Sequence, residues 1–173
     1  MKIAIVGTHG TGKSTLSYLM ASHYKKQGKN VKIIQEVARS CPFPINHGMT
    51  VEAAKWIYYE HARKELEAVA KHDVVIGDRS VYDSFVYASY FQLFGGDLHD
   101  LDIIAYEHLS TYDRVVFVRP DIPLQTDGTR SPDVEFQIGI DQLYRDVIND
   151  LAYVEIKSSE IFSGEEEWKQ YCL

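Results

Sequence analysis

Ile3-Ala4-Ile5-Val6-Gly7-Thr8-His9-Gly10-Thr11-Gly12-Lys13-Ser14-Thr15 decides the reading of this chain. A short apolar run stops at a glycine-rich turn, G-x-x-x-x-G-K-S, and a helical pattern begins at once. Such a run reads as a buried strand, so the turn lies between a strand and a helix. Backbone N–H groups in a turn of this kind point inward and form an anion nest, and the helix N-terminus adds partial positive charge. Lys13 would reach the outer phosphates of a nucleoside triphosphate, and the Ser14 hydroxyl would ligate Mg²⁺. The expected phosphate contacts are Gly7, His9, Gly10, Thr11, Gly12, Lys13, Ser14 and Thr15, with the His9 side chain facing solvent.

Outward from this loop, four further β-rich runs follow, at 31–35, 73–77, 114–118 and 153–156. Helical patterns separate them, at 13–27, 50–72, 80–94, 100–109 and 131–150. Gly28 stops the first helix, and Thr50 is a suitable N-cap for the second, with Glu52 in its first turn. Ser80 and Asp83 form a loose capping box, and Gly95-Gly96 close that helix. Ser131-Pro132-Asp133 reads as cap, first-turn proline and acid. Alternating strands and helices predict an α/β fold of three layers, α/β/α, with a five-stranded parallel sheet. One domain over 1–173 is expected, with a short lid at about 119–132.

Composition narrows the partners. The chain has 173 residues, 45% of them hydrophobic, and a net charge of −7. That balance argues against a nucleic-acid groove, which needs a basic surface. No apolar run approaches the roughly 18 residues of a membrane span. Cys41 and Cys172 form no metal pattern, and a reduced, cytoplasmic setting is expected. A cleavable leader is not expected, since its removal would destroy the loop. The oligomeric state, a homodimer among the options, is open.

Ligands in parallel sheets sit at the carboxyl ends of the strands. Polar residues gather there: Glu36-Val37-Ala38-Arg39, Asp78-Arg79-Ser80 and Arg119-Pro120-Asp121. Asp78 would hold a metal water or accept the proton of an attacking hydroxyl, the plain alternative being a helix-capping carboxylate. Arg79 would clamp a phosphate with its planar fork. Glu36 would bind a ribose hydroxyl or base amine, and Arg39 a phosphate or carboxamide. Tyr82, one turn from Asp78 and Arg79, is the candidate to stack on an acceptor base, although aromatics at helical spacing more often build core. The stretch 119–132 ends in Asp127-Gly128-Thr129-Arg130, and Arg130 would close over the phosphates, excluding water and neutralising charge. Arg145 would add a second cation from the last long helix.

These elements together resemble P-loop kinases of small nucleosides and nucleotides. The E-x-A-R element from Glu36 to Arg39 and the D-x-P…D-G-x-R pattern from Asp121 to Arg130 are similar to ribosylnicotinamide-kinase-like domains, AAA-type ATPase domains among them. Asp78-Arg79-Ser80 resembles the acid-Arg-Ser element of deoxynucleoside kinases and the Asp-Arg element of thymidylate kinases. The G-x-x-G-x-G-K loop is similar to that of nucleotide kinases. The resemblance spans about 1–150 and implies a P-loop NTPase fold using ATP and Mg²⁺. It places Lys13 and Ser14 on the phosphates and metal, Asp78 at the acceptor hydroxyl or phosphate, and Arg130 in the lid; position alone also makes Asp78 a candidate for the metal. The acid pair of oligomeric AAA motors and the N-K-x-D element of GTPases are missing from the sequence, and 173 residues leave no room for an added adenylyltransferase domain.

The reaction expected is transfer of the ATP γ-phosphate to a nucleoside monophosphate or nucleoside, a deoxynucleotide included. The paired arginines, Arg39 and Arg79, and the loop pattern tilt the choice towards a monophosphate. Ribosylnicotinamide phosphorylation and an ATP-binding switch or slow ATPase are the alternatives.

Overall fold

The computed structural model describes residues 1–93, 97–124, 133–149, 151–164 and 167–172. Five strands form one parallel sheet: β1 (Lys2–Val6), β2 (Val31–Ile34), β3 (Val74–Asp78), β4 (Arg114–Arg119) and β5 (Tyr153–Lys157). Their order is β2-β3-β1-β4-β5, and every neighbouring pair is parallel. The chain turns direction across the sheet beside β1, which places a crevice over the carboxyl ends of β1 and β3.

Among the described residues, six α-helices accompany the sheet: α1 (Lys13–Lys26), α2 (Val51–Val69), α3 (Asp83–Tyr90), α4 (Asp97–Leu109), α5 (Val134–Ile148) and α6 (Ser158–Phe162). The layers follow from alternation within strands, since successive side chains point to opposite faces. Ala4 and Val6 of β1 and Val115 and Phe117 of β4 join one core with Phe85, Leu98, Phe136 and Ile140. Ile3, Ile5, Val116 and Val118 point the other way, into a core with Leu16, Met20, Tyr24 and Ile161. A third, smaller cluster ties α2 to β2 and β3 through Ile34, Ile57 and Val75. The inner strands β1, β3 and β4 are therefore apolar on both faces, as a covered parallel sheet requires, while the edge strands β2 and β5 carry polar residues.

Element boundaries differ from expectation where side chains compete for the helix ends. Thr50 caps α2 as expected, its Oγ1 accepting from Ala53 N at 3.2 Å, but the helix stops at Val69, before residue 72. α5 starts at Val134 because Asp133, not Ser131, is the cap and accepts from Phe136 N at 3.1 Å. Residues 131 and 132 lie outside the described residues, as do Gly95 and Gly96. α4 begins at Asp97, three residues earlier than the pattern at 100–109. In the Ser80–Asp83 box, the Asp83 carboxylate takes both the Ser80 N–H and hydroxyl at 2.6 Å, so α3 begins at the acid itself. Among the described residues, no helix is long and apolar enough to cross a membrane.

Candidate active site

β1 delivers the phosphate loop, and Gly7 makes its exit possible. Gly7 has φ +133°, and a methyl group on it would lie 2.6 Å from the Val118 carbonyl oxygen of the neighbouring strand. Gly7→Ala is therefore expected to destabilise the fold by about 2–4 kcal/mol, from strain plus overpacking. Thermal melting with and without MgATP would check it, and an unchanged melting temperature would refute it. The loop is then tied to α5: Thr8 Oγ1 donates to the Gln137 carbonyl at 3.1 Å, and Gln137 Nε2 donates to the His9 carbonyl at 2.8 Å. Gln137 was invisible as a loop support in the sequence, since it lies 128 residues downstream of His9.

Lys13 opens α1 and is buried, its ammonium donating to the Thr8 carbonyl and, at 3.4 Å, to Thr11 Oγ1. Burial, with Arg79 nearby, brings its pKa down from 10.5 to about 7. Ser14 Oγ donates to Asp78 Oδ2 at 2.5 Å, joining the helix start to the end of β3. His9 differs from expectation: it is 6% exposed, with its ring 5.2 Å from that of Phe136. It forms a wall shared by the phosphate loop and the cleft beside it.

Asp78 is followed by a strained corner. Arg79 has φ +109°, rare for a side chain larger than glycine. Its buried guanidinium is held on several sides: Nε donates to Glu36 Oε1 at 2.8 Å, and one terminal nitrogen donates to Asp83 Oδ1 at 3.1 Å. The Tyr87 ring lies 5.3 Å from the guanidinium carbon. Asp83 also accepts from the Tyr144 hydroxyl. Burial would raise the Glu36 pKa, but Arg79, then Lys13 and Arg39, outweigh it and hold the carboxyl at about 2. Arg39 Nε donates to the other Glu36 oxygen at 2.8 Å. Glu36 thus bridges two arginines.

Beside this polar strip opens a small cleft with a cavity volume of about 70 Å³. Glu36, Arg39, Arg79 and His9 line its mouth, and Val37, Met49, Ile57 and Tyr87 line its apolar walls. His9, Glu36 and Arg79 also line the pocket of the phosphate loop, so the two spaces adjoin.

Of the residues expected in the site, Lys13, Ser14, Asp78, Arg79, Glu36, Arg39 and His9 are brought together. Tyr82 is not. It is 9% exposed within the core, stacked against Phe85 at 5.7 Å and packed on Tyr106 of α4. The tyrosine of this segment that faces the cleft is Tyr87. Arg145 also stands apart, paired with Asp141 at 3.0 Å and Glu155 at 3.5 Å, above the Phe117 ring. Arg130 lies outside the described residues. The foot of the expected lid is fastened to α6, where the Asp121 carboxylate accepts from the Ser159 N–H at 2.8 Å.

The donor set fits Mg²⁺. A serine hydroxyl and a carboxylate, both hard oxygens, meet at the start of α1, and Mg²⁺ sites typically use one or two protein oxygens, with phosphates and water completing the shell.

Comparison with known proteins agrees with this geometry. A family model described as AAA domain matches residues 2–161. The solved structures similar to this chain include thymidylate kinase from Ehrlichia chaffeensis, with a TM-score of 0.65 and 20% identity over 91% of this chain and 86% of that one. Among curated proteins none matches significantly. The architecture is a P-loop NTPase fold, as the sequence led us to expect.

Proposed function

We propose that this chain, which belongs to the AAA domain family, is an ATP-dependent phosphotransferase acting on a hydroxyl of a small nucleoside. One observation carries the reading: a walled cleft adjoins the phosphate-loop pocket, sharing His9, Glu36 and Arg79 with it, and Asp78 lines the phosphate-loop side. A motor or switch needs no such second cleft, whereas a kinase must hold its acceptor in line with the γ-phosphate.

The charge balance at the mouth selects the acceptor. Among the described cleft residues, Arg79 is neutralised by Glu36 and Asp83, and Arg39 by Glu36. A phosphate-bearing acceptor would have to displace these carboxylates. A hydroxyl acceptor needs a carboxylate instead, and Asp78 supplies it. This departs from the monophosphate that the paired arginines suggested in sequence, because the fold brings Glu36 onto Arg79 from 43 residues away as well as onto Arg39. The monophosphate reading keeps one support, the likeness to a structure named thymidylate kinase.

In the reaction proposed, Lys13 and the loop N–H groups hold the β- and γ-phosphates. Ser14 and Asp78 would hold Mg²⁺, which, when bound, neutralises charge on those phosphates. Asp78 takes the proton of the acceptor hydroxyl as its oxygen bonds to the γ-phosphorus. The bond from that phosphorus to the β-bridging oxygen breaks, and ADP leaves with the electron pair. Arg79 orients Glu36 and the cleft mouth rather than the transferring group. Arg130 is the proposed cover.

ADP release with MgATP against nucleosides, deoxynucleosides, their monophosphates and nicotinamide riboside tests the proposal. Stimulation by an unphosphorylated nucleoside is expected. Stimulation by monophosphates alone would overturn the acceptor assignment. A flat panel would overturn the kinase reading in favour of a switch or slow ATPase.

A further inference from the structure

The cleft lining also carries buried polar groups that the transfer chemistry does not use. Ser84, on the first turn of α3, is 3% exposed, and its hydroxyl has no hydrogen-bond partner among the described residues. A helical serine commonly bonds back to the carbonyl one turn earlier. Here it does not, although it lines the cleft. Leaving a buried hydroxyl unsatisfied is costly, and such groups in native structures need an explanation.

His61 of α2 lines the same cleft, 1% exposed. Its Nε2 lies 3.3 Å from Glu65 Oε1. Glu65 is itself fixed by Lys2 at 3.1 Å, by His108 at 2.8 Å and by the Tyr112 hydroxyl. The Tyr112 hydroxyl also accepts from Val81 N at 3.2 Å, three residues after Asp78. The imidazole thus lies beside a carboxylate anchored from two other elements of the fold, while its Nε2 makes no hydrogen bond of good geometry among the described residues.

We infer that Ser84 and His61 form a recognition floor for the heterocyclic head group of the acceptor. The inference rests on the nucleoside-acceptor reading above. Apolar walls from Val37, Met49, Ile57 and Tyr87 suit the flat faces of a ring. A heterocycle edge carrying N–H, C=O or ring nitrogen satisfies the Ser84 hydroxyl, which can donate and accept. Glu65 acts as a positioning residue for His61. An acceptor without such an edge leaves Ser84 as unsatisfied as before, so the floor separates nucleosides from simple sugars.

Calorimetric titration tests this without any transfer step. The full chain and Ser84→Ala are titrated with adenosine, guanosine, cytidine, uridine, thymidine and nicotinamide riboside. Methyl β-ribofuranoside serves as the headless control, and MgADP as the donor-site control. The wild type is expected to bind at least one nucleoside, and Ser84→Ala to weaken that binding tenfold or more. Binding of methyl riboside and MgADP stays unchanged. Ser84→Ala is also expected to raise the unliganded melting temperature by about 2–4 °C, because it removes an unsatisfied buried group.

A purely structural serine would change stability without this selective loss. Equal nucleoside affinity in both proteins overturns the floor and leaves the kinase reading standing. No nucleoside binding by wild type, with MgADP bound normally, overturns both. Selective loss in Ser84→Ala with no ADP release on any acceptor upholds the floor and overturns the kinase.

Discussion

Asp78→Asn is expected to lower nucleoside-stimulated ADP release about 10²–10⁴-fold, the range typical of losing a general base. ATP affinity should stay within a few-fold. Asparagine keeps the shape of the side chain, and its carbonyl oxygen can still accept the Ser14 hydroxyl, now 2.5 Å from Asp78. What it loses is the negative charge and the capacity to take a proton. The fall should therefore appear in kcat, with the KM for ATP nearly unmoved. Steady-state kinetics beside direct ATP titration checks this. Normal turnover in Asp78→Asn would remove Asp78 from the chemistry.

Lys13→Ala should have the opposite signature, abolishing measurable nucleotide binding and every activity that depends on it. The melting temperature without nucleotide should change little by comparison. The ammonium is buried, and burial, with Arg79, disfavours its charge, so little folding stability depends on that charge. Its worth lies in meeting phosphate.

A pH test follows in the wild type. Free Lys13 loses its proton around pH 7, whereas bound phosphates favour the charged form and raise its pKa. ATP binding above pH 7 should then take up a proton, and affinity should fall by up to about tenfold per pH unit as pH rises. Below pH 7 this dependence vanishes. Calorimetry at pH 8 in two buffers of different ionisation enthalpy measures the uptake. Equal apparent enthalpies would refute it.

The fold was legible because its signals are local. The glycine loop, the alternating apolar strands and the Thr50 cap each act within a few residues. The acceptor half was less legible because facing is decided by packing across the chain. Tyr82 and Tyr87 lie five residues apart, about 140° around a helix, and cannot share a face. Which of them meets the cleft depends on α4, whose Tyr106 covers Tyr82. Ser84 and His61 carried no motif, and their meaning comes from a cavity between α2 and α3. Arg39 and Arg79 read as phosphate clamps because the pairing of Arg79 with Glu36, 43 residues away, is made only by the fold. Arg145 did carry a warning, since Asp141 precedes it by four residues, the spacing of an ordinary helical ion pair.

The cleft lining has a consequence for how such a protein can diversify. Apart from His9, every lining residue falls between Glu36 and Tyr87, while the proposed donor contacts other than Asp78 lie in the loop and first turn of α1, from Gly7 to Thr15. On the proposed function, a single recombination cassette spanning that stretch but keeping Asp78 would exchange the acceptor lining and leave the proposed ATP contacts in place. On that reading, lineages carrying this scaffold would change their acceptor by one crossover rather than by many coordinated substitutions, and a laboratory can attempt the same exchange with one gene fragment.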